Sequence, residues 1–301
     1  LGVVQGVGFR PFVAECARTL SLRGSVCNSG GVVRIEAYGT KEAMEELVHR
    51  LRSCAPPAAR VDRVIVEKER EAGAEPEDFL IVESEAENGA DLPLIPPDLP
   101  ICADCLAELG NPENRRFRYP FISCTACGPR YSILEAIPYD REHISMRDYP
   151  MCPECGREYR QPGGRRQHAQ TISCRDCGPQ LILSGREDFS SGSAGMASGL
   201  TSDAALSEAV RILKEGGILA VKGIGGYQFA CRPDREETVR RLRLLKGREK
   251  KPFAVMFPSL DGTHGIRAFC RVSRLEEALL LSQARPIVLL ERSGQDAFCP
   301  S

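Results

Sequence analysis

An α+β architecture with several domains is predicted for this chain of 301 residues by three observations. The first 84 residues read in the order β-α-β-β-α-β. A block of four C-x-x-C pairs then repeats with a period of 50 residues, and the last hundred residues alternate helix and strand.

The opening stretch "GVVQGVGFR" runs from a strand into a glycine turn. "RPFVAECARTLSL" follows as a helix with Phe12, Val13, Cys16 and Leu20 along one face, and Pro11 suits its first turn. "RGSVCNS" and "GGVVRIEAYG" read as two strands joined at residues 28–31, with Val33, Ile35 and Ala37 alternating against Arg34, Glu36 and Tyr38. "TKEAMEELVHRLRSC" is a second amphipathic helix, with Thr40 as N-cap and Ala43, Met44, Leu47, Val48 and Leu51 inward. "VDRVIVEKE" and "DFLIVES" supply later strands. This is the split βαβ, or ferredoxin-like, order.

Residues 85–183 begin with a proline-rich stretch and hold the cysteine pairs; residues 184–202 are Ser/Gly-rich and read as a flexible linker. Residues 203–301 form the α/β part. It starts with the helix "DAALSEAVRILKEGG" and continues as strand, glycine turn and strand in "ILAVKGIGGYQFACRP". "REETVRRLRLLKG" is helical, "FAVMF" a strand, "SRLEEALLLSQ" a helix opened by a Ser273/Glu276 capping box, and "RPIVLLE" a strand.

Composition narrows the classes. Net charge is −1, hydrophobic content 42% and charged content 27%, as in a globular chain. The apolar runs fall short of a membrane span, and the start lacks the pattern of a signal peptide. The chain opens on Leu1 partway along a strand, so a fragment is expected, with the first strand truncated. Charge is uneven: net −6 over residues 1–101, +1 over 102–180 and +5 over 203–301. The basic last part suits a phosphate-bearing small molecule better than nucleic acid. Fourteen cysteines, eight of them in C-x-x-C pairs, point to zinc in a reducing cytoplasm rather than to disulfides.

Gln5, Gly6, Val7, Gly8 and Phe9 form a curl at a helix N-terminus, where backbone N–H groups can hold an anion, and Arg10 adds a planar fork suited to phosphate oxygens. The spacing matches neither common nucleotide motif, and a tight turn with a surface arginine explains the same residues. "GVVQGVGFR" followed 18 residues later by Asn28 resembles the acylphosphatase family. That resemblance implies that the loop and Arg10 bind the phosphate group of an acyl phosphate, and that Asn28 positions the attacking water.

Cys102, Cys105, Cys124 and Cys127 repeat as Cys152, Cys155, Cys174 and Cys177, and the flanks "RRFRYPFISCTACGP" and "RRQHAQTISCRDCGP" repeat with them. Each unit offers four thiolates, enough for a closed, structural Zn2+ site, with pairing either within or between units. Two such sites would lower the segment's net charge to about −3, a poor balance for nucleic acid. His168 stands where the first unit has Arg118, and is read as a surface or hydrogen-bonding group rather than a ligand.

Lys222 precedes a glycine turn, and Lys246, Arg248 and Lys251 cluster at a helix end. Cations there can simply offset the helix dipole, or they can meet a triphosphate. "KGIGGY" and "KGREKKPFAVM" resemble the YrdC-like domain, which binds ATP and makes carbamoyl-adenylates. The order acylphosphatase-like, two four-cysteine modules, YrdC-like resembles the HypF family of carbamoyltransferases in [NiFe]-hydrogenase maturation. Gln228 and Arg232 depart from the family, which commonly has histidine and an acidic residue there. The YrdC-like part stops before its later Ser/Asn-rich segment, and a C-terminal transfer domain is expected to lie outside the sequence.

The resemblance implies hydrolysis of carbamoyl phosphate to carbamate at the first site. It implies carbamoyl-adenylate formation from ATP, with Mg2+, at the second, where Lys222, Lys246, Arg248 and Lys251 surround the nucleotide. The acceptor is the C-terminal cysteine of HypE. Neither nucleic acid nor membrane is an expected partner. Carbamate is unstable in water, which favours placing both sites in one chain. Two alternatives stay open: an acylphosphatase carrying unrelated zinc modules, and a zinc-containing tRNA-modification or nucleic-acid-binding factor.

Overall fold

The computed structural model describes residues 1–67, 76–84, 94–185, 199–223, 225–248 and 250–294. The chain divides into two units, Leu1–Pro179 and Gln180–Ser301.

The first unit begins with β1 (Gly2–Val3), α1 (Phe9–Thr19), β2 (Arg23–Ser29), β3 (Val32–Tyr38), α2 (Lys41–Ser53), β4 (Arg60–Val61) and β5 (Phe79–Ile81). β2 lies between β3, antiparallel, and β5, parallel, while the short β1 pairs antiparallel with β4. The β2–β3 turn falls where the sequence predicts it, with Ser29 opposite Val32 and Gly30 at positive φ. α1 buries Phe9, Val13, Ala14 and Ala17 against Val26 and Phe79, and α2 adds Leu47 and Leu51. Each of the phenylalanine, valine and leucine side chains contributes about 1.5–3 kcal/mol when fully buried, and each alanine methyl about 0.8 kcal/mol. Thr40 caps α2 by accepting from the Ala43 N–H at 3.3 Å.

Two more helices in this unit, α3 (Ala103–Gly110) and α4 (Pro153–Arg160), start one residue after Cys102 and Cys152. The cysteines are the N-caps, their sulfurs accepting from the N–H of Cys105 and Cys155 at 3.5 Å. The 50-residue repeat is therefore a structural repeat, and Arg118 and His168, equivalent in sequence, share positive φ at 55° and 53°. The proline-rich stretch ends in fixed structure: Asp98 accepts from the N–H groups of Arg130 and Ser132, and Leu99 pairs with Gly128.

The second unit contains β6 (Ile182–Leu183), β7 (Leu200–Thr201), α5 (Ser202–Lys214), β8 (Leu219–Gly223), β9 (Gly226–Ala230), α6 (Glu236–Lys246), β10 (Cys270–Arg271), α7 (Arg274–Leu281) and β11 (Glu291–Arg292). Most of the Ser/Gly-rich stretch lies outside the described residues; its end, β7, pairs antiparallel with β6. β8 and β9 form the expected hairpin, and α7 carries the full Ser273/Glu276 capping box.

Three strands differ from expectation. Residues 253–257 contain no strand, and in "RPIVLLE" only Glu291 enters one. In "VDRVIVEKE" the described strand ends at Val61. Apolar β-branched runs mark strands only where a partner edge lies alongside; Met256, Ile287 and Leu289 are almost wholly exposed.

Candidate functional site

The first unit holds a cleft lined by Gly6, Gly8, Phe9, Arg10, Thr125, Arg130, Tyr139, His168 and Gln170, among others. Val7 and Phe9 are buried in the core and anchor the curl, while Gly6 and Gly8 turn it with φ of 70° and 76°. Both glycines are also needed for space. A Cβ on Gly6 would sit 3.0 Å from the Tyr139 ring, and one on Gly8 would sit 3.1 Å from Thr125 Cβ. Gly8 is the N-cap of α1 and supplies no side-chain acceptor to its first N–H groups. Those N–H groups carry the positive end of the helix dipole.

Gln5 ties the curl to the sheet. Its side-chain amide donates to the carbonyls of Gly30 and Val32 at 2.9 and 3.2 Å, and its oxygen accepts from the Tyr139 N–H. Asn28 lies on β2, just before that turn, and is 0% exposed. Neither polar atom of its side chain has a hydrogen-bond partner among the described residues. Leaving such a buried group unpaired costs about 1–3 kcal/mol. Asn28 is not among the residues that line the cleft; Gln5 links the curl to the β2–β3 turn that follows it, through Gly30 and Val32.

Arg10, in the first turn of α1, is buried. Its Nη2 donates to Asp140 Oδ1 at 2.6 Å and its Nη1 to Ser84 Oγ at 3.3 Å, while Ser84 donates to Asp140 Oδ2. Arg130, 2% exposed, donates to the carbonyls of Gly6, Cys124, Thr125, Cys127 and Pro129. His168 is half-buried and belongs to neither four-cysteine group: it lines the cleft, its ring 4.9 Å from that of Tyr159. Burial, reinforced by the Arg10 charge, pushes its imidazole down to about 4, so it is neutral at pH 7.

The eight paired cysteines gather into two groups, each drawn from one repeat unit: Cys102, Cys105, Cys124 and Cys127, and Cys152, Cys155, Cys174 and Cys177. Sulfur–sulfur separations of 3.7 Å occur in the first group and 3.6–3.8 Å in the second. A tetrahedron of sulfurs about 2.3 Å from a central Zn2+ has edges of about 3.8 Å, so the residues fit that ion. Backbone N–H groups of Ala126 and Asp176 donate to Cys124 and Cys174, as bent cysteine turns require.

Arginines cross between the two groups. Arg115 donates to the sulfurs of Cys152, Cys155 and Cys174, and Arg116 to Cys155. Their repeat equivalents reciprocate: Arg165 donates to Cys102 and Cys105, and Arg166 to Cys105. Arg116 also donates to the Ser173 carbonyl, and Arg166 to that of Ser123. Four thiolates around a divalent ion leave two negative charges, and two guanidiniums beside each group offset them. Glu158 accepts from Arg115 and Arg116, and Glu108 from Arg165 and Arg166. Burial raises both carboxyls, but these guanidiniums outweigh it and hold each below the usual carboxylate range.

In the second unit, Lys222 on β8 and Lys246 at the end of α6 place their ammonium groups 5.4 and 5.2 Å from the rings of Tyr227 and Phe229. Those rings are two residues apart on β9, so they share one face of the hairpin. Arg243 donates to the carbonyls of Arg248 and Lys251, fixing the segment after α6. Arg232 is ion-paired with Asp234 at 2.5 Å.

Family models match along nearly the whole chain. An acylphosphatase model covers residues 1–81, a HypF finger model covers 101–134 and again 151–184, and a model described as telomere recombination, of the Sua5/YciO/YrdC group, covers 211–301. Carbamoyltransferase HypF2 of Cupriavidus necator is 49% identical over 296 residues, 98% of this chain and 35% of that protein. A probable carbamoyltransferase HypF of Methanocaldococcus jannaschii is 47% identical over 293 residues, 97% of this chain and 36% of that protein. A crystal structure of full-length HypF in its phosphate- and nucleotide-bound form matches with a TM-score of 0.87 and 40% identity, covering 100% of this chain and 38% of that one.

The chain belongs to the HypF carbamoyltransferase family. It spans little more than a third of the length of these HypF relatives. Its mixed α/β fold, with an acylphosphatase domain, two HypF fingers and a YrdC-like domain, is the one the sequence predicts. No helix among the described residues is long and apolar enough to cross a membrane.

The residues that the finger region brings to the cleft, Thr125, Arg130, Tyr139 and Gln170, and the Arg10 partners Asp140 and Ser84, escape the reading of the sequence. Arg130 carries one signal: it breaks the HypF finger repeat, with "CGPR" in the first unit against "CGPQ" in the second. Asp140 has none, because its partner Arg10 is 130 residues away in the chain.

Proposed function

We propose that this HypF-family chain serves carbamoyl transfer in [NiFe]-hydrogenase maturation, and that it uses carbamoyl phosphate in the cleft of the first unit. The observation that carries this reading is Arg10 beside the glycine curl at the uncapped start of α1. Carbamoyl phosphate and water become carbamate and phosphate. The N–H groups of the curl and the Arg10 guanidinium meet the phosphate and offset its charge as it departs. Asn28 orients the water through its side-chain amide, whose polar atoms are not consumed by the fold. No side chain need act as nucleophile.

The carbamate then reacts with ATP, bound with Mg2+, to give carbamoyl-adenylate and pyrophosphate. Lys222, Lys246, Arg248 and Lys251 are the groups assigned to the nucleotide phosphates. The acceptor of the carbamoyl group is the C-terminal cysteine of HypE. The two four-cysteine groups hold Zn2+ as closed, structural sites, with no open position for water. A reducing cytoplasm suits such thiols. The domain boundaries assigned are 1–84, 85–183, 184–202 and 203–301.

Release of inorganic phosphate from carbamoyl phosphate tests the first step. Arg10→Ala should lower kcat/KM by at least about 100-fold; release that is absent in the parent chain, or unchanged in the variant, would remove the assignment. Carbamoyl-phosphate-dependent exchange of pyrophosphate into ATP tests the second step. It should fall in Lys222→Ala.

A further inference from the structure

The finger region reaches into the acylphosphatase cleft. Arg130, three residues beyond the last cysteine of the first group, grips the carbonyl of Gly6 and the carbonyls of the Cys124–Cys127 turn with the same guanidinium. Tyr139 and Thr125 abut the two glycines. One residue beyond Tyr139, the Asp140 carboxylate is bonded to Arg10. The curl is therefore roofed by side chains from a segment that the β-α-β-β-α-β unit does not contain.

The Arg10–Asp140–Ser84 arrangement is specific. Asp140 takes Nη2, Ser84 takes Nη1, and Ser84 closes the ring by donating to the other carboxylate oxygen. Both terminal nitrogens of the guanidinium are thus gripped, which fixes its plane. Its remaining N–H donors are left for a ligand. The pair is largely shielded, with side-chain exposures of 9% for Arg10 and 21% for Asp140. A short charge-assisted bond in such a place holds an arginine far more firmly than a surface pair does.

We propose that Asp140, supplied by the finger region, is the positioning residue that holds Arg10 in register with the curl. This rests on the reading of the cleft as the carbamoyl phosphate site. Arg10 unheld would sample other rotamers, and the stabilisation of departing phosphate depends on where the charge sits rather than on its presence. A carboxylate next to the cleft also repels a dianion. Removing it therefore does not weaken substrate binding as loss of a binding group would.

The test uses the full chain with Asp140→Asn, which keeps the shape and removes the charge. Expected is a fall in kcat of roughly 10- to 100-fold with KM for carbamoyl phosphate unchanged or lower. In an Arg10→Ala background the same substitution should change kcat by less than about 2-fold, because Asp140 acts only through Arg10. Asp140→Glu should recover part of the loss. An unchanged kcat in the single variant, or an equal fall in the Arg10→Ala background, would overturn the proposal. A second measurement needs no turnover: the Arg10 Nε–H signal in 15N NMR should be sharp and slow to exchange in the parent chain and lost to exchange broadening in Asp140→Asn. A signal identical in both would overturn the proposal on its own. A parent chain that releases no phosphate would defeat the carbamoyl phosphate reading, while the NMR comparison would still decide whether Asp140 holds Arg10.

Discussion

Replacing Asn28 by leucine should make the protein more stable and less active. The amide is 0% exposed, and both of its polar atoms lack a partner among the described residues. Leucine keeps the branching at Cγ but is larger, so the change swaps an unsatisfied polar group for an apolar one and opens no cavity. Relief of the desolvation penalty is worth about 2 kcal/mol, and fitting the larger side chain takes back about 1 kcal/mol. The unit spanning Leu1–Pro179 is of a size at which each kcal/mol moves Tm by about 2–4 °C. The net gain of about 1 kcal/mol should therefore raise its transition by roughly 2–4 °C. Phosphate release from carbamoyl phosphate should fall by roughly 100-fold or more, the scale on which loss of one positioned polar group acts. Calorimetry and a phosphate-release assay on the same sample decide the matter. A drop in Tm with activity retained would show that Asn28 is a structural amide, and the account of its role would be wrong.

Metal content should be about two Zn2+ per chain, and Cys155→Ser should reduce it to about one, read by elemental analysis of the purified protein. The cross-bonded arginines add a consequence: Arg116→Met, which leaves every cysteine in place, should speed zinc loss to a chelator from the second group, whose Cys155 it bonds, before the first. His168 sets an acid limit. Its proton is disfavoured in the folded state, where burial holds it at about 4 against the ordinary histidine value of 6.5. The unfolded chain takes the proton first as pH falls, so this stabilisation is complete above about pH 6.5 and is lost progressively towards 4. The slope is at most about 1.4 kcal/mol per pH unit, reduced by solvent screening of a partly exposed ring. His168→Phe should flatten the decline of Tm between those values; an identical decline would refute it.

The parts of the fold that were legible in the sequence are those whose signals are local. The glycine curl, the turn at residues 28–31, the Thr40 and Ser273 caps and the hairpin of β8 and β9 each depend on residues a few positions apart. The cysteine groups were legible because a metal site writes its spacing into the chain twice. Residues 253–257 and 285–290 carry the apolar pattern of strands without forming them, since an apolar run does not reveal whether a neighbouring edge is present. The cleft was half legible. Arg10 follows its glycines directly, whereas Asp140 and Ser84 meet it only through folding, and composition offers no hint of that meeting. Reciprocal bonding of arginines to the opposite cysteine group was equally hidden: the "RR" pairs at 115–116 and 165–166 repeat visibly, but their exchange of partners is a property of three dimensions.

The central claim is that the curl at the start of α1, closed by Arg10, is a seat for a phosphate dianion. A crystal of this chain grown in inorganic phosphate measures it directly. The account predicts an anion within hydrogen-bond distance of the backbone N–H groups of residues 6–10 and of the Arg10 guanidinium, with Asp140 still holding the far side of that group. Phosphate bound elsewhere, with the curl unoccupied at saturating concentration, would contradict it.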